Sequence, residues 1–283
     1  MDEFITGERI QSVANLICLS YNRQFHTALH HPPLSQIPKC FLTDQDSIDE
    51  GIYRINTFPK APIVFCYIDD VSRFIEEILD HITNPFVFVT HNGDMGITEE
   101  YYPLLNHPLL LHWFGQNPRL LHTNLTALPI GLENEMHAGD KYTILDSTIQ
   151  KRISKENSLF TCFSVDTNPF YRSSILQQLK VQGFPIQTGK LPFTEFIETM
   201  ASHQFAVTPM GNGVVTHRFW EALYLGVIPV VEKDLLYDYW PGLPIVQVET
   251  WNSLTLPSVS FKNPTPFLQL SYWKTLILSY QTS

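Results

Sequence analysis

The chain has 283 residues, 28 acidic and 18 basic, for a formal charge of -10. With 44 % hydrophobic and 16 % charged residues it holds apolar material for about two ordinary domains, which excludes a disordered chain and a small disulfide scaffold. The acidic balance excludes non-specific DNA or RNA binding, which needs a basic surface.

The charge is uneven. Residues 1–140 carry 18 acidic and 7 basic side chains, and residues 141–283 carry 10 and 11. The near-neutral half is the better home for an anion. Cys18, Cys40, Cys66 and Cys162 are too few and too scattered for a disulfide framework, and no Cys-x-x-Cys occurs. The start Met1-Asp2-Glu3 lacks the basic region of a signal peptide, and no run of ~18 apolar residues exists. The expectation is a soluble, cytoplasmic protein of a reducing compartment, with no membrane span.

Residues 1–60 give no clear rhythm, with Pro32, Pro33, Pro38, Pro59 and an acidic stretch Asp44–Glu50. From Pro62 the pattern clears. Residues 62–69 read as a buried strand ending in acid, with Asp70 next. Val71–Ile82 reads as a helix with Phe74, Ile75, Ile78, Leu79 and Ile82 on one face. Phe86–Thr90 is a second strand, followed by the polar turn His91-Asn92-Gly93-Asp94. Leu109–Phe114 and Leu125–Ile130 are the third and fourth. Asp140–Ser154 is a crossover. Further on, Leu159–Ser164 is a strand, Pro169–Leu179 a helix, and a short strand is placed near Ile186. Phe193–Met200 is a helix, Gln204–Val207 a strand, His217–Leu225 a helix, and Val227–Val231 and Pro244–Val248 are strands. Continuous apolar strands alternating with helices imply parallel sheets covered on both faces.

The stretch Thr208–Val231 runs strand, Gly-rich loop, helix, strand. Gly211 and Gly213 allow a sharp turn and a close approach to a ligand. Thr216 stands at the N-cap of the helix opening at His217, whose free N–H groups suit a phosphate. An ordinary strand–helix turn accounts for the glycines equally well. It accounts less well for Arg218 and Glu221, which are neighbours on one helix face in the order that opposes the macrodipole. A bound diphosphate explains Arg218, and Glu221, one turn deeper, suits two ribose hydroxyls. Gly226 ends the helix.

Pro209-Met-Gly-Asn-Gly-x-x-Thr-His-Arg-x-x-Glu-Ala-x-x-x-Gly-x-Ile-Pro-Val is similar to the nucleotide-sugar motif of exostosin-like glycosyltransferases. Thr90–Asp94, Trp113–Asn117 and Leu128–Gly131 resemble their short soluble members, including those of large viruses, for which the compartment would be the host cytoplasm. The resemblance covers roughly residues 60–250. It implies an α/β fold of the GT-B-like type, two Rossmann-like parallel-sheet lobes facing a central cleft. On this reading residues 1–145 bind the acceptor, 146–260 bind the nucleotide sugar, and 261–283 form a helix packing back on the N-terminal lobe. It also implies that Arg218 holds phosphate and Glu221 ribose, together with Pro209, Gly211, Asn212, Gly213, Thr216 and His217. Arg172 looks like a second phosphate ligand, with Ser164 and Asn168 lining the same turn; a solvated helix residue is the plain alternative. Thr188-Gly189-Lys190 is a candidate for the base edge.

An inverting transfer needs a base for the acceptor hydroxyl. The candidates are Asp94 first, then Asp70 and Asp69, with His91 orienting the base or the sugar. Adjacent carboxylates can raise one another's pKa. Asp70 serves equally as a helix N-cap, and Asp94 as an ordinary turn residue. Asp44-Gln-Asp46 reads as a solvated acidic loop, and Ile48 rules out a calcium loop. His30, His31 and His112 read as surface or packing residues. Tyr101, Tyr102, Trp113, Phe114 and Trp240 are core by default, with sugar stacking as the alternative.

The expected function is inverting transfer of a sugar, xylose being one choice, from a UDP-sugar to a hydroxyl of a glycan or glycoprotein acceptor. No cofactor or metal is expected to be essential, and no nucleic acid to be a partner. The rivals are a non-catalytic carbohydrate-binding protein of the same fold and a dinucleotide-dependent oxidoreductase. The missing third glycine, where Thr216 stands, argues against the second rival.

Overall fold

A computed structural model describes residues 3–20, 33–187 and 189–282. The chain divides into two compact units. The first comprises residues 5–130, 134–136 and 269–283, and the second residues 1–4, 131–133 and 137–268. Both are mixed α/β with an all-parallel sheet. None of the described helices is long and apolar enough to cross a membrane.

In the first unit, α1 (Gly7–Gln11) precedes β1 (Leu16–Leu19), and β2 (Lys39–Phe41) precedes α2 (Gln45–Thr57). Then follow β3 (Ile63–Tyr67), α3 (Val71–Glu77), β4 (Phe86–His91), α4 (Tyr102–Leu105), β5 (Leu110–Gly115) and β6 (Leu125–Ala127); the residues of the short α5 (Glu135–Ala138) are divided between the two units. The strand order is β2-β1-β3-β4-β5-β6. This order reverses between β1 and β3, the point at which doubly wound sheets open a crevice at their carboxyl ends. β3 and β4 are buried at every position, which is why they read as continuous apolar runs. Phe74 of α3 packs 4.7 Å from Phe88, centroid to centroid.

The expected helix Val71–Ile82 is shorter. Ile78 leaves helical geometry (φ -121°), and a 3-10 turn over Leu79–His81 follows. The break keeps Ile78, Leu79 and Ile82 all buried. The acidic stretch Asp44–Glu50 is not a loop. Asp44 caps α2 by accepting from the Asp46 N–H at 3.2 Å, and the acids stand near the positive end of the helix. His30 and His31 lie outside the described residues. Cys18 is in register with Cys40 on β2 and Cys66 on β3, all as buried free thiols. Burial raises the Cys18 thiol well above its ordinary range, so it is a packing group rather than a nucleophile.

The second unit contains α6 (Lys141–Lys151), β7 (Glu156–Phe160), α7 (Pro169–Val181), α8 (Phe193–Ala201), β8 (His203–Val207), α9 (His217–Tyr224), β9 (Ile228–Glu232) and β10 (Val246–Val248). The order is β10-β9-β8-β7. Leu159, Ile175, Leu179, Phe205, Val207, Ile228, Val230 and Trp251 fill one side of the sheet. No strand forms at Ile186. The Gln187 N–H does donate to the Thr161 carbonyl at 2.9 Å, but no strand is formed by the described residues there. β7 also ends at Phe160, before Ser164, and residues 161–168 form an irregular connection to α7. The last helix, α10 (Leu270–Ser279), belongs to the first unit, where Gln281 donates to the Asn15 side chain at 2.9 Å and to the Ala61 carbonyl at 3.0 Å.

Candidate functional site

In the second unit the carboxyl ends of β7 and β8 each lead into a loop followed by a helix. Thr208 closes β8 against β9 through its N–H to the Val230 carbonyl at 3.0 Å. The loop then folds on itself, with the Gly211 N–H donating to the Gly213 carbonyl at 2.9 Å. Arg172, on α7, clamps this loop. Its Nε donates to the Met210 carbonyl at 2.9 Å, Nη1 to Ser164 at 2.6 Å and Nη2 to Pro209 at 3.3 Å. Asn168 adds a bond from Nδ2 to the Gly211 carbonyl at 3.2 Å. A Cβ on Gly211 would stand 3.1 Å from Arg172 Nη2, so this glycine is fixed by the guanidinium as well as by the turn.

Arg172 is therefore not a solvated helix residue: it is 3 % exposed. Burial first, then the nearby Arg218, lowers its pKa to about 10. Three of its five N–H groups are spent on carbonyls, and its main visible task is to shape the loop. The Ser164 hydroxyl is engaged locally with Asp166, so Ser164 serves the site through its carbonyl.

The N-terminus of α9 differs from this clamp in having orphaned groups. Thr216 sits at the N-cap in extended geometry, as expected, but its hydroxyl does not cap the helix. That Oγ1 is buried without a hydrogen-bond partner, and so is Nε of Arg218. The Arg218 guanidinium is held by a ring, lying 5.2 Å over Phe196 of α8. Burial lowers its pKa, with the Glu221 carboxylate acting the other way. Glu221 makes no hydrogen bond or ion pair among the described residues. Burial pushes its pKa up to about 7, against the pull of Arg218 and Lys141 and with the help of Glu133. His217 Nδ1 lies 2.9 Å from the Gly131 carbonyl and tethers that segment. Gly226 ends α9 with φ +69°, as its position predicted.

Thr188 lies outside the described residues. Gly189 (φ +91°), Lys190 and Asn212 are exposed. Phe196, Lys141 and Glu133 were not legible as site residues. Lys141 pairs with Glu133 and lies 5.4 Å over Phe193, one turn before Phe196. Only the Phe193-x-x-Phe196 spacing hinted at an aromatic ledge.

In the first unit the four acid–base candidates part company. Asp70 is 4 % exposed and bridges the ends of β1 and β3: it accepts from the Ser20 N–H at 3.1 Å and the Ser20 hydroxyl at 2.6 Å. It occupies the N-cap position of α3 without capping it by its side chain. Asp69 is exposed, and its Oδ2 lies 4.0 Å from where a Cβ on Gly93 would stand. Asp94 is exposed. His91 is 1 % exposed, accepts from the Asn92 N–H on Nδ1 at 2.9 Å and faces the Pro129 carbonyl with Nε2 at 2.9 Å. Those partners assign the proton to Nε2 and make His91 an orienting group. Beside it stands an amide network absent from the sequence reading. Asn92 (φ +63°) donates to Gln11 at 3.3 Å, accepts from Asn134 at 3.1 Å and is held by Gln116 at 3.2 Å. Trp113, Phe114, Tyr101 and Trp240 are buried core, and Tyr102 is exposed.

Asp70→Ala is expected to cost about 2 kcal/mol, because two hydrogen bonds to a buried charge are lost, and Asp70→Asn about half of that. Urea unfolding checks this; a change below about 0.5 kcal/mol would remove the bridging role. No protein-family model and no curated protein matches the chain.

Proposed function

We propose that the protein is an inverting glycosyltransferase of the GT-B kind, moving a sugar from a UDP-sugar to a hydroxyl of a glycan. The observation that carries this reading is the pair of orphaned groups on the α9 N-terminus, Thr216 Oγ1 and Arg218 Nε, behind a loop clamped in place by Arg172. A buried guanidinium nitrogen without a protein partner has lost hydration, and an acceptor oxygen of a ligand would supply the missing hydrogen bond. The free amides of a helix N-terminus add to the same preference for a diphosphate.

In the proposed reaction the bond from the sugar C1 to the diphosphate oxygen breaks and its electron pair leaves on the diphosphate. Arg218 and the α9 amides meet that charge, so the step needs no metal. The acceptor oxygen forms the new bond to C1 from the opposite face and gives its proton to a carboxylate. Asp94 and Asp69 are the exposed candidates for this base. Asp70 is committed to Ser20, and Glu221 is assigned to the ribose.

Calorimetry with UDP tests the site. Wild type should bind, and Arg218→Ala should weaken binding by about thirty-fold, the order of one charge-assisted contact to phosphate. Unchanged affinity in the variant would remove the site assignment. UDP binding without hydrolysis of any UDP-sugar would leave a non-catalytic binder.

A further inference from the structure

A cavity lies in the same unit, at the end of the sheet opposite the groups assigned to the nucleotide. It is bounded by the residues just before β7, β8 and β9: Lys155, Ala201 and Gly226. The groups assigned to the nucleotide stand at the carboxyl ends of these strands, so this cavity is separate from them. Its volume is about 400 Å³, within the range of small-molecule sites. Its walls are mainly apolar, including Ile149, Leu223, Phe261 and Leu268. Its lining includes two cations, Arg152 and Lys155, and no carboxylate.

Cations near helix C-termini have an ordinary explanation, since they offset the carbonyl end of the dipole. It covers Lys155 in part, whose Nζ donates to the Ala201 carbonyl at the end of α8 at 2.8 Å. It does not cover the rest. Lys155 is exposed as a residue, but partial desolvation with no compensating acid lowers its pKa to about 8. Arg152 makes no side-chain hydrogen bond or ion pair among the described residues. Its backbone is left-handed (φ +48°) at the C-cap of α6, where glycine or asparagine costs less. The cavity thus combines an apolar wall with positive charge that the protein itself does not neutralise.

We propose that this cavity binds a small amphipathic anion, an organic carboxylate whose head group pairs with Arg152 and Lys155 and whose apolar body lies against Phe261 and Leu223. The site is independent of the nucleotide site and stands whether or not the glycosyltransferase reading does.

Calorimetry on the whole chain with octanoate, octanol and octylamine tests it. Octanoate should bind, with octanol and octylamine at least about ten-fold weaker. Arg152→Gln and Lys155→Met should each weaken octanoate by about ten-fold, and Arg218→Ala should leave it unchanged. Affinity should fall from about pH 7 to 9, because the anion prefers the protonated lysine. Arg152 is exposed, so its variant keeps the fold and decides the matter should Lys155→Met unfold. The proposal is overturned by absent octanoate binding, by equal binding of octanol, by wild-type affinity in Arg152→Gln, or by loss of binding in Arg218→Ala.

Discussion

Arg172→Ala is expected to lower the stability of the second unit by about 4 kcal/mol, the largest effect of any single change at the site. The side chain is 3 % exposed, and its fork satisfies the carbonyls of Ser164, Pro209 and Met210. Each bond from a charged donor contributes roughly 1.5–3 kcal/mol, and truncation leaves three acceptors unpaired in a protected place. Relief of repulsion from Arg218 offsets a small part. Arg172→Lys should recover little, because an ammonium cannot reach three carbonyls with planar geometry. Urea unfolding should show a lower midpoint at unchanged slope. The opposite result, full stability with lost UDP affinity, would make Arg172 a phosphate ligand and not a clamp.

Glu221→Gln is expected to do two opposite things. Its carboxyl titrates near 7 in the folded protein and near its ordinary value of 4.5 in the unfolded chain. The folded state therefore holds more protons between these values. Stability from this group is present below about pH 4.5 and is lost as pH rises towards and through 7. The shift, which already includes the opposing attraction of Arg218, corresponds to roughly 3 kcal/mol at pH 8, and the glutamine variant should gain about that much. Glutamine carries no charge to desolvate, so the variant should be more stable than wild type at pH 8 and equal to it near pH 4. The same variant should bind UDP at least ten-fold more weakly and lose the preference for UDP over 2′-deoxy-UDP, because a charged acceptor of the ribose hydroxyls is gone. Thermal unfolding across pH and calorimetry check the two halves separately. A flat difference in stability between pH 4 and 8 would mean that Glu221 is not desolvated. A gain in stability bought with ligand affinity is the usual mark of a functional carboxylate.

Much of the fold was legible because it rests on local pattern. β3 and β4 are buried on both faces, so their residues are apolar throughout and need no alternation to be seen. The loop and helix from Thr208 to Gly226 could be read from glycines, a cap position and a helical stripe, all within one stretch of chain. β1 and β2 were missed for the same reason in reverse. They have four and three residues, and what makes them strands is pairing with β3 and with each other. The Asp44–Glu50 acids look like solvent loop until Asp44 is seen capping α2.

At the site, the sequence alone supplied residue types and their local spacing: Arg218 three residues before Glu221, and Thr216 at a helix start. Tertiary structure decided what each group is free to do. Arg172 and Arg218 look alike in sequence, each in the first turn of a helix after a strand and loop. Arg172 has its nitrogens on carbonyls 37 and 38 residues away, whereas Arg218 has a phenyl ring beneath it and an unpaired Nε. Likewise Asp69 and Asp70 are neighbours in the chain, but only Asp70 meets Ser20 across the β1/β3 junction. Hydrogen-bond satisfaction and desolvation depend on partners distant in sequence. That is why the charge split between the halves could point to an anion without saying which arginine is left to hold it.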